Sequence, residues 1–310
     1  MNRRDFILGT AAAALAGCAT GSGSAARAAR PGSPRFHVFS KMFQPPVTAD
    51  PSALCDLFAA AGCDGVQWTV RPGGHCEPGD AAAKLPALVK SAAARGLACE
   101  SICTAIVDGD DPAAERIAKA AADCGIGQMR VGYYFYDEPR ETFAQSMDRF
   151  RRSFASLERL GRKSGVRAAY QNHSTWGPAI FGGMVWDIHE VVRDLDPAFV
   201  GIEYDPMHAC LETYESWRRG FELVSPWIAS VDLKDFRYRM DAKKPGRMAK
   251  DMVAAGEGVV PWGEVGRRIV ANGVDPLYIL HFEYDFDKTD LKKTVGTELS
   301  AFKAALAATA

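Results

Sequence analysis

The strongest constraint on the fold of this chain is an alternation repeated eight times. From Phe36 onward, short runs rich in β-branched and aromatic residues stand at 36–40, 64–70, 97–103, 128–134, 166–172, 199–205, 227–233 and 277–283. Between and after them lie longer amphipathic stretches at 51–61, 81–95, 112–124, 140–164, 184–194, 212–224, 262–272 and 290–308. Strands that alternate strictly with helices pair in parallel, because each helix returns the chain to the same edge of the sheet. Eight such units close into an α/β barrel more readily than they form an open doubly wound sheet, and no G-x-G-x-x-G follows the first strand.

The punctuation agrees with this count. Asp50-Pro51, Asp111-Pro112 and Glu138-Pro139 place proline near a first helical turn, while Gly62, Gly96, Gly125, Gly165 and Gly273 follow helical runs as stops. The longest connection, 236–261, follows the seventh strand and is expected to be functional or mobile. The fold class expected is a single (β/α)8 TIM barrel over 35–310, preceded by an N-terminal export signal and linker over 1–34.

That leading segment reads as an address. Arg3-Arg4-Asp5-Phe6 precedes the apolar run Ile7 to Gly17, which is too short to span a bilayer and suits a twin-arginine signal. Leu15-Ala16-Gly17-Cys18 resembles a lipobox, in which Cys18 would be acylated; cleavage near Ala26-Arg27-Ala28 is the competing reading. The expected location is periplasmic, or membrane-anchored through a lipid on Cys18 as the sole membrane contact. Of the eight cysteines, the seven besides Cys18 form no C-x-x-C pair, so neither a disulfide framework nor a structural zinc is expected. The 37 basic and 38 acidic side chains nearly cancel, without the basic footprint of a nucleic-acid binder. The expected partner is a small molecule, and the chain does not indicate its oligomeric state.

Polar residues two apart end several of the strand runs: Gln171 and His173, Glu203 and Asp205, Asp232 and Lys234, His281 and Glu283, with Arg130 and Gly132 earlier. A strand repeats every two residues, so each pair projects to one side, and in a barrel that side can be the lumen mouth. Active sites of such barrels lie at the C-terminal strand ends. Glu283, Lys234, His173 and His208 are candidates for acid–base chemistry, and Lys41, Arg71, His75, Arg130, Trp176 and His281 for substrate contact. Trp68 and Trp262 are further candidates for stacking on a sugar, with simple packing as the other reading.

The phrases Gly65-Val66-Gln67-Trp68-Thr69-Val70-Arg71-Pro72-Gly73-Gly74-His75, Tyr170-Gln171-Asn172-His173-Ser174, Tyr204-Asp205-Pro206-Met207-His208-Ala209, Asp232-Leu233-Lys234-Asp235-Phe236, Gly256-Glu257-Gly258 and His281-Phe282-Glu283-Tyr284 carry a family likeness. The chain resembles the sugar phosphate isomerase/epimerase superfamily, the xylose-isomerase-like TIM barrels. The resemblance implies one divalent cation held by Glu, Asp, His and Glu at four strand ends. Carried over, Gln171 falls at the first Glu, Asp205 at the Asp, Asp232 near the His and Glu283 at the last Glu. A neutral amide binds a cation more weakly than a carboxylate, so metal binding here calls for His173, Glu203 or His208 to join. An oxygen-dominated set of this kind favours Mn²⁺ or Mg²⁺.

The function these residues and the resemblance imply is an exported sugar or keto-sugar isomerase or epimerase that abstracts a proton beside a carbonyl with help from the metal. The alternatives are a lyase acting on 3-keto-glycosides and a catalytically degenerate barrel that binds sugar without turnover. A metal-dependent phosphodiesterase is disfavoured by the export signal and the missing basic surface.

Overall fold

In a computed structural model that describes residues 33–45, 47, 50–174 and 179–307, eight parallel strands close into a barrel. They are β1 (Arg35–Phe39), β2 (Gly65–Val70), β3 (Ser101–Thr104), β4 (Gln128–Arg130), β5 (Arg167–Gln171), β6 (Val200–Tyr204), β7 (Ile228–Leu233) and β10 (Leu277–Leu280). Closure is made by β10 against β1, with Phe36 opposite Tyr278 and Val38 opposite Leu280. Around the barrel lie α1 (Pro51–Ala60), α2 (Ala81–Ala93), α3 (Pro112–Asp123), α4 (Phe143–Ser164), α5 (Val185–Val192), α6 (Pro206–Thr213), α7 (Trp217–Val224), α8 (Trp262–Ala271) and α9 (Leu291–Ala307). No helix among the described residues is long and apolar enough to cross a membrane.

Local chemistry sets the helix ends. Asp50 and Asp111 accept from the backbone N–H groups of Ser52 and Ala113, and the proline after each supplies the fixed φ of a first turn. The five glycines read as stops all take positive φ, between 63° and 84°, where a side chain would be strained.

Three details differ from expectation. Glu138-Pro139 is a cis bond ahead of α4, which starts at Phe143 behind a Thr142/Gln145 capping box. The helix expected over 212–224 is two helices, α6 and α7, separated at Tyr214 by a φ of 48°. The long connection after β7 is a two-stranded antiparallel hairpin, β8 (Asp235–Met240) with β9 (Met248–Val253).

The main apolar core lies between barrel and helices, where Val38, Val66, Trp68, Ile102, Met129, Tyr170, Ile202 and Val231 meet residues such as Leu54, Phe58, Leu85 and Phe154. Trp68 and Trp262 are buried in this layer, Trp262 edge-on to Phe302, so both are packing residues. Inside the barrel the apolar cluster is small: Phe39, Cys103, Leu277 and Ile279. The rest of the lumen is polar. Gln67 donates to Ser101 Oγ at 3.1 Å and to Glu203 Oε2 at 3.0 Å, and Gln128 donates to Ser230 Oγ at 2.9 Å. Inward positions thus recur every second residue, and a buried polar floor lies under the strand ends.

Candidate active site at the barrel mouth

The polar pairs at the strand ends converge. Beyond β7, the Lys234 ammonium lies 2.9 Å from Asp205 Oδ2, 3.2 Å from Glu283 Oε2 and 3.0 Å from His208 Nε2. An ammonium only donates, so His208 Nε2 must accept, which puts the imidazole proton on Nδ1, 2.9 Å from Ser174 Oγ. The His173 ring packs on His208 with centroids 3.7 Å apart. Burial and the nearby ammonium keep both rings neutral, His173 lowered to about 4 and His208 held well below its ordinary value.

Asp205 is placed by its own neighbours. Its backbone pairs with the Asn172 side chain in both directions, at 2.8 and 3.0 Å, and its Oδ1 caps α6 by accepting from the His208 N–H at 3.1 Å. One carboxylate therefore starts a helix and faces Lys234 with its other oxygen. Burial pushes its pKa up while Lys234 pulls against it. On Glu283, a quarter exposed, the ammonium and His281 outweigh burial and hold the carboxyl well below its usual range. Lys234 stays protonated: burial works against the charge, but Asp205, Glu283 and Asp232 outweigh it.

Gln171 donates its amide N–H groups to Asp205 at 3.0 Å and to Asp232, and its carbonyl oxygen accepts from the Tyr133 hydroxyl, which in turn accepts from Arg130. Ionised carboxylates only accept, which fixes this amide orientation. The four expected metal ligands, Gln171, Asp205, Asp232 and Glu283, are thus brought together, but an ammonium already stands between Asp205 and Glu283, and Gln171 turns its amide nitrogen toward Asp205 and Asp232.

A different donor set fits a divalent ion. Glu203, Asp232 and His281, all buried, each offer an atom within 4.8 Å of the others. Glu203 Oε1, Asp232 Oδ1 and both His281 nitrogens lack a hydrogen bond among the described residues. Their charged contacts are His281 to Asp232 at 3.2 Å, His281 to Glu283 at 3.6 Å and Arg130 to Glu203 at 3.6 Å. Two carboxylates and one imidazole suit a hard ion such as Mn²⁺ or Mg²⁺. Of the four carried-over ligands only Asp232 belongs to this set, joined by Glu203, one of the three residues expected to supplement them. Burial and the Asp232 charge push Glu203 up to about 8, while Asp232 pulls His281 up against its own burial.

The remaining sequence candidates fall around this group. Lys41, in the single 3-10 turn after β1, has Glu283, Arg71, Arg130 and Lys234 as electrostatic neighbours. His75 is tied to Thr69 Oγ1 at 2.9 Å and Ser40 Oγ at 3.2 Å, and burial lowers its pKa to about 4. Arg130 stacks over Phe39 and Tyr133 in the lumen. Trp176 and Cys18 lie outside the described residues. Sequence reading missed Tyr133, Asn172, Ser174 and Lys250. The first three flank strand ends already singled out, whereas Lys250 sits on β9, and no periodicity in the chain places that hairpin near the mouth.

A family model described as a xylose isomerase-like TIM barrel matches residues 55–305. The chain belongs to that family. No curated protein sequence matches it. Among solved structures, this xylose isomerase-like barrel is similar to a 3-keto-D-glucoside 4-epimerase from E. coli at a TM-score of 0.65 and 13% identity, covering 88% of this chain and all 100% of that one. It is also similar to an L-ribulose 3-epimerase, at 0.65 and 12% over 88% and 96% of the two chains. A D-psicose 3-epimerase crystallised with D-fructose matches at 0.62 and 12% over 88% and 99%. At such identities the likeness is one of fold.

Proposed function

We propose that this barrel isomerises or epimerises a sugar or keto-sugar by removing a proton from the carbon beside a carbonyl and returning it. The observation that carries the reading is the buried ammonium of Lys234 set between Asp205 and the part-exposed Glu283 at the strand ends. A substrate oxygen that gains negative charge in the transition state is stabilised by a fixed cation in a dry site. Lys234 is that cation. As it turns toward the substrate oxygen, its hold on Glu283 weakens and the Glu283 carboxylate gains affinity for the proton it removes. His208, accepting from Lys234 through Nε2, holds the ammonium in place.

A divalent ion held by Glu203, Asp232 and His281, Mn²⁺ or Mg²⁺ by donor type, would supply Lewis acidity to the carbonyl. Gln171, Tyr133 and Arg130 orient the carboxylates by the hydrogen-bond chain that joins them. Elimination from a 3-keto-glycoside begins with the same proton removal, and the Lys234–His208 pair offers the acid that the leaving oxygen needs. The proposal also keeps the protein exported, on the Arg3-Arg4 pair and the Leu15–Cys18 motif.

The test is solvent-exchange NMR in heavy water against keto-sugars and glycosides. Deuterium at the carbon beside the carbonyl supports the proposal, with loss of the aglycone marking the lyase variant. Tight binding of a sugar with no exchange in any of them overturns it in favour of a barrel that only binds.

A further inference from the structure

The hairpin that follows β7 carries one of its faces out of the core and into solvent. Phe236, Tyr238 and Met240 alternate along that face of β8, and the register sets Met252, Lys250 and Met248 opposite them on β9. Phe236 is fully buried. Tyr238 packs edge-on against it and donates its hydroxyl to the Cys210 carbonyl at 3.4 Å, so the root of the hairpin is fixed against α6. Two residues further out the face emerges, and Met240 and Met248, directly opposite each other, are 60% and 58% exposed.

The turn beyond this pair is basic. Lys243, Lys244 and Arg247 are exposed, and none has an ion pair to a described residue. The carboxylates of the hairpin are otherwise engaged: Asp251 pairs with Arg239 at 2.7 Å, and Asp241 accepts from the Lys243 backbone N–H at 2.8 Å to close the turn. Arg237 is matched by Glu257 at 3.2 Å. The tip therefore keeps a positive excess, three basic side chains against Asp241, in a chain whose formal net charge is -1. Two unbranched apolar side chains beside flexible cations match a bilayer with anionic headgroups. The methionines gain by entering the acyl boundary, and the cations gain by staying at the phosphates. A nucleic acid would engage the cations and leave the methionines in water. A second copy packed symmetrically on the same face would cover the methionines but bring like charges together.

We infer that the tip of this hairpin, Met240 to Met248, docks on an anionic lipid surface. The six residues of β8 hold that tip roughly 20 Å from Lys234 at about 3.4 Å each, so docking there leaves the barrel mouth clear of the lipid. Acylation at Cys18, expected from Leu15–Cys18, would bring the barrel to the same surface. The stretch 19–32 can span up to roughly 50 Å when extended, a reach that lets the hairpin end of the barrel turn toward it. The assignment does not depend on the chemistry at Lys234 and Glu283.

The experiment is flotation of the full chain with vesicles of phosphatidylcholine alone and of phosphatidylcholine mixed with phosphatidylglycerol, with Cys18→Ser in every sample so that no acyl chain is present. Binding is expected to the mixed vesicles, weaker in high salt and weaker still to phosphatidylcholine. A basic side chain at such a surface contributes about fivefold, so Lys243→Gln/Lys244→Gln/Arg247→Gln should lower the partition coefficient on the order of a hundredfold. Met240→Ser/Met248→Ser should lower it about tenfold or more and leave its salt dependence in place, because insertion is removed and charge is not. All five positions are exposed, so both variants should melt with the parent and a lost signal is not a lost fold. Arg3, Arg4 and the apolar run after them can also hold lipid, so Arg3→Gln/Arg4→Gln is measured alongside. Unchanged partitioning in both hairpin variants, or a loss confined to the Arg3/Arg4 variant, overturns the inference. Preferential capture of single-stranded DNA that ignores the methionine changes also overturns it and assigns the tip to nucleic acid. A dimer in sedimentation that the methionine changes dissolve overturns it in favour of a second copy.

Discussion

Lys234→Met separates an ammonium that holds the site together from one that merely sits near it. The side chain is 2% exposed, with Asp205 at 2.9 Å and Glu283 at 3.2 Å. Methionine keeps the length and apolar volume of the side chain and removes only the charge, so two carboxylates lose their counter-ion in a desolvated site. Removing one partner of a buried pair costs about 3–5 kcal/mol. Protonation limits that cost, since each pH unit between ambient and a raised carboxyl pKa is worth about 1.4 kcal/mol. The loss must therefore depend on pH. In the native protein Glu283 is held below its ordinary 4.5, so its contribution is present above that value and fades only as pH falls through the depressed one. In the variant the shift reverses. The penalty is then absent near and below about pH 4.5 and grows as pH rises, because the unfolded chain ionises first.

Urea denaturation at about pH 7.5 and about pH 5 reads the effect directly, with the m-value unchanged if only stability moves. The expected loss is about 3–5 kcal/mol at the higher pH and about half or less at the lower. A loss under about 1 kcal/mol at pH 7.5, or the same loss at both, would refute the reasoning that Lys234 neutralises this group. Exchange activity in the folded variant should fall on the order of a hundredfold or more.

Gln171→Glu replaces an amide that donates to Asp205 and Asp232 with a third carboxylate facing them, so the metal-free protein should melt lower and titration with Mn²⁺ should show tighter binding than in the native protein. No gain in affinity would favour proton transfer by Lys234 and the histidines alone. Glu298 sits in α9, where burial raises its pKa to about 7 while it accepts from Ala255 N–H and the Tyr284 hydroxyl. A raised carboxyl costs stability as pH climbs from its unfolded to its folded value, so Glu298→Gln should stabilise by on the order of 3 kcal/mol at about pH 8 and by nothing near pH 4 in paired denaturation curves. Asp235 accepts from the backbone N–H groups of Phe236, Gly256, Gly258 and Val260 at 2.9–3.3 Å, and a Cβ on Gly258 would meet its Oδ1 at 1.9 Å. Asp235→Ala should raise amide exchange across 254–260 and raise KM more than it lowers kcat, because it loosens the segment that leads out of the hairpin.

The barrel was readable from the chain because its signals are local. Proline after a capping aspartate, glycine after a helical run and alternating apolar runs each act within a few residues, and they set every barrel strand to within a few residues of its place. The missed start of α6 has the same origin as the successes. Asp205-Pro206 repeats the pattern of Asp50-Pro51 and Asp111-Pro112, but Asp205 was read as a strand-end ligand and its second role as a helix cap was passed over. The hairpin left no comparable trace, since β8 and β9 are short, half-exposed and rich in charge, and the Asp235 carboxylate at the start of β8 holds the segment that follows β9.

The site was readable only as far as strand periodicity reaches. Period-two logic identifies Asp205, Asp232, Lys234, His281 and Glu283 as facing one lumen, but not which of two successive inward layers each occupies. That difference decides the chemistry. Asp232 and His281 lie one layer down with Glu203, whereas Lys234 and Glu283 lie at the mouth with Asp205. Reading the cation ligands off a shared motif draws from both layers at once and gives a quartet interrupted by an ammonium. A layer-by-layer reading separates two functions: a deep group of two carboxylates and an imidazole suited to a hard ion, and a mouth group whose carboxylates already have a cation. On the proposed function, proton transfer belongs to the mouth, where Glu283 is part-exposed, and any ion would act from beneath it.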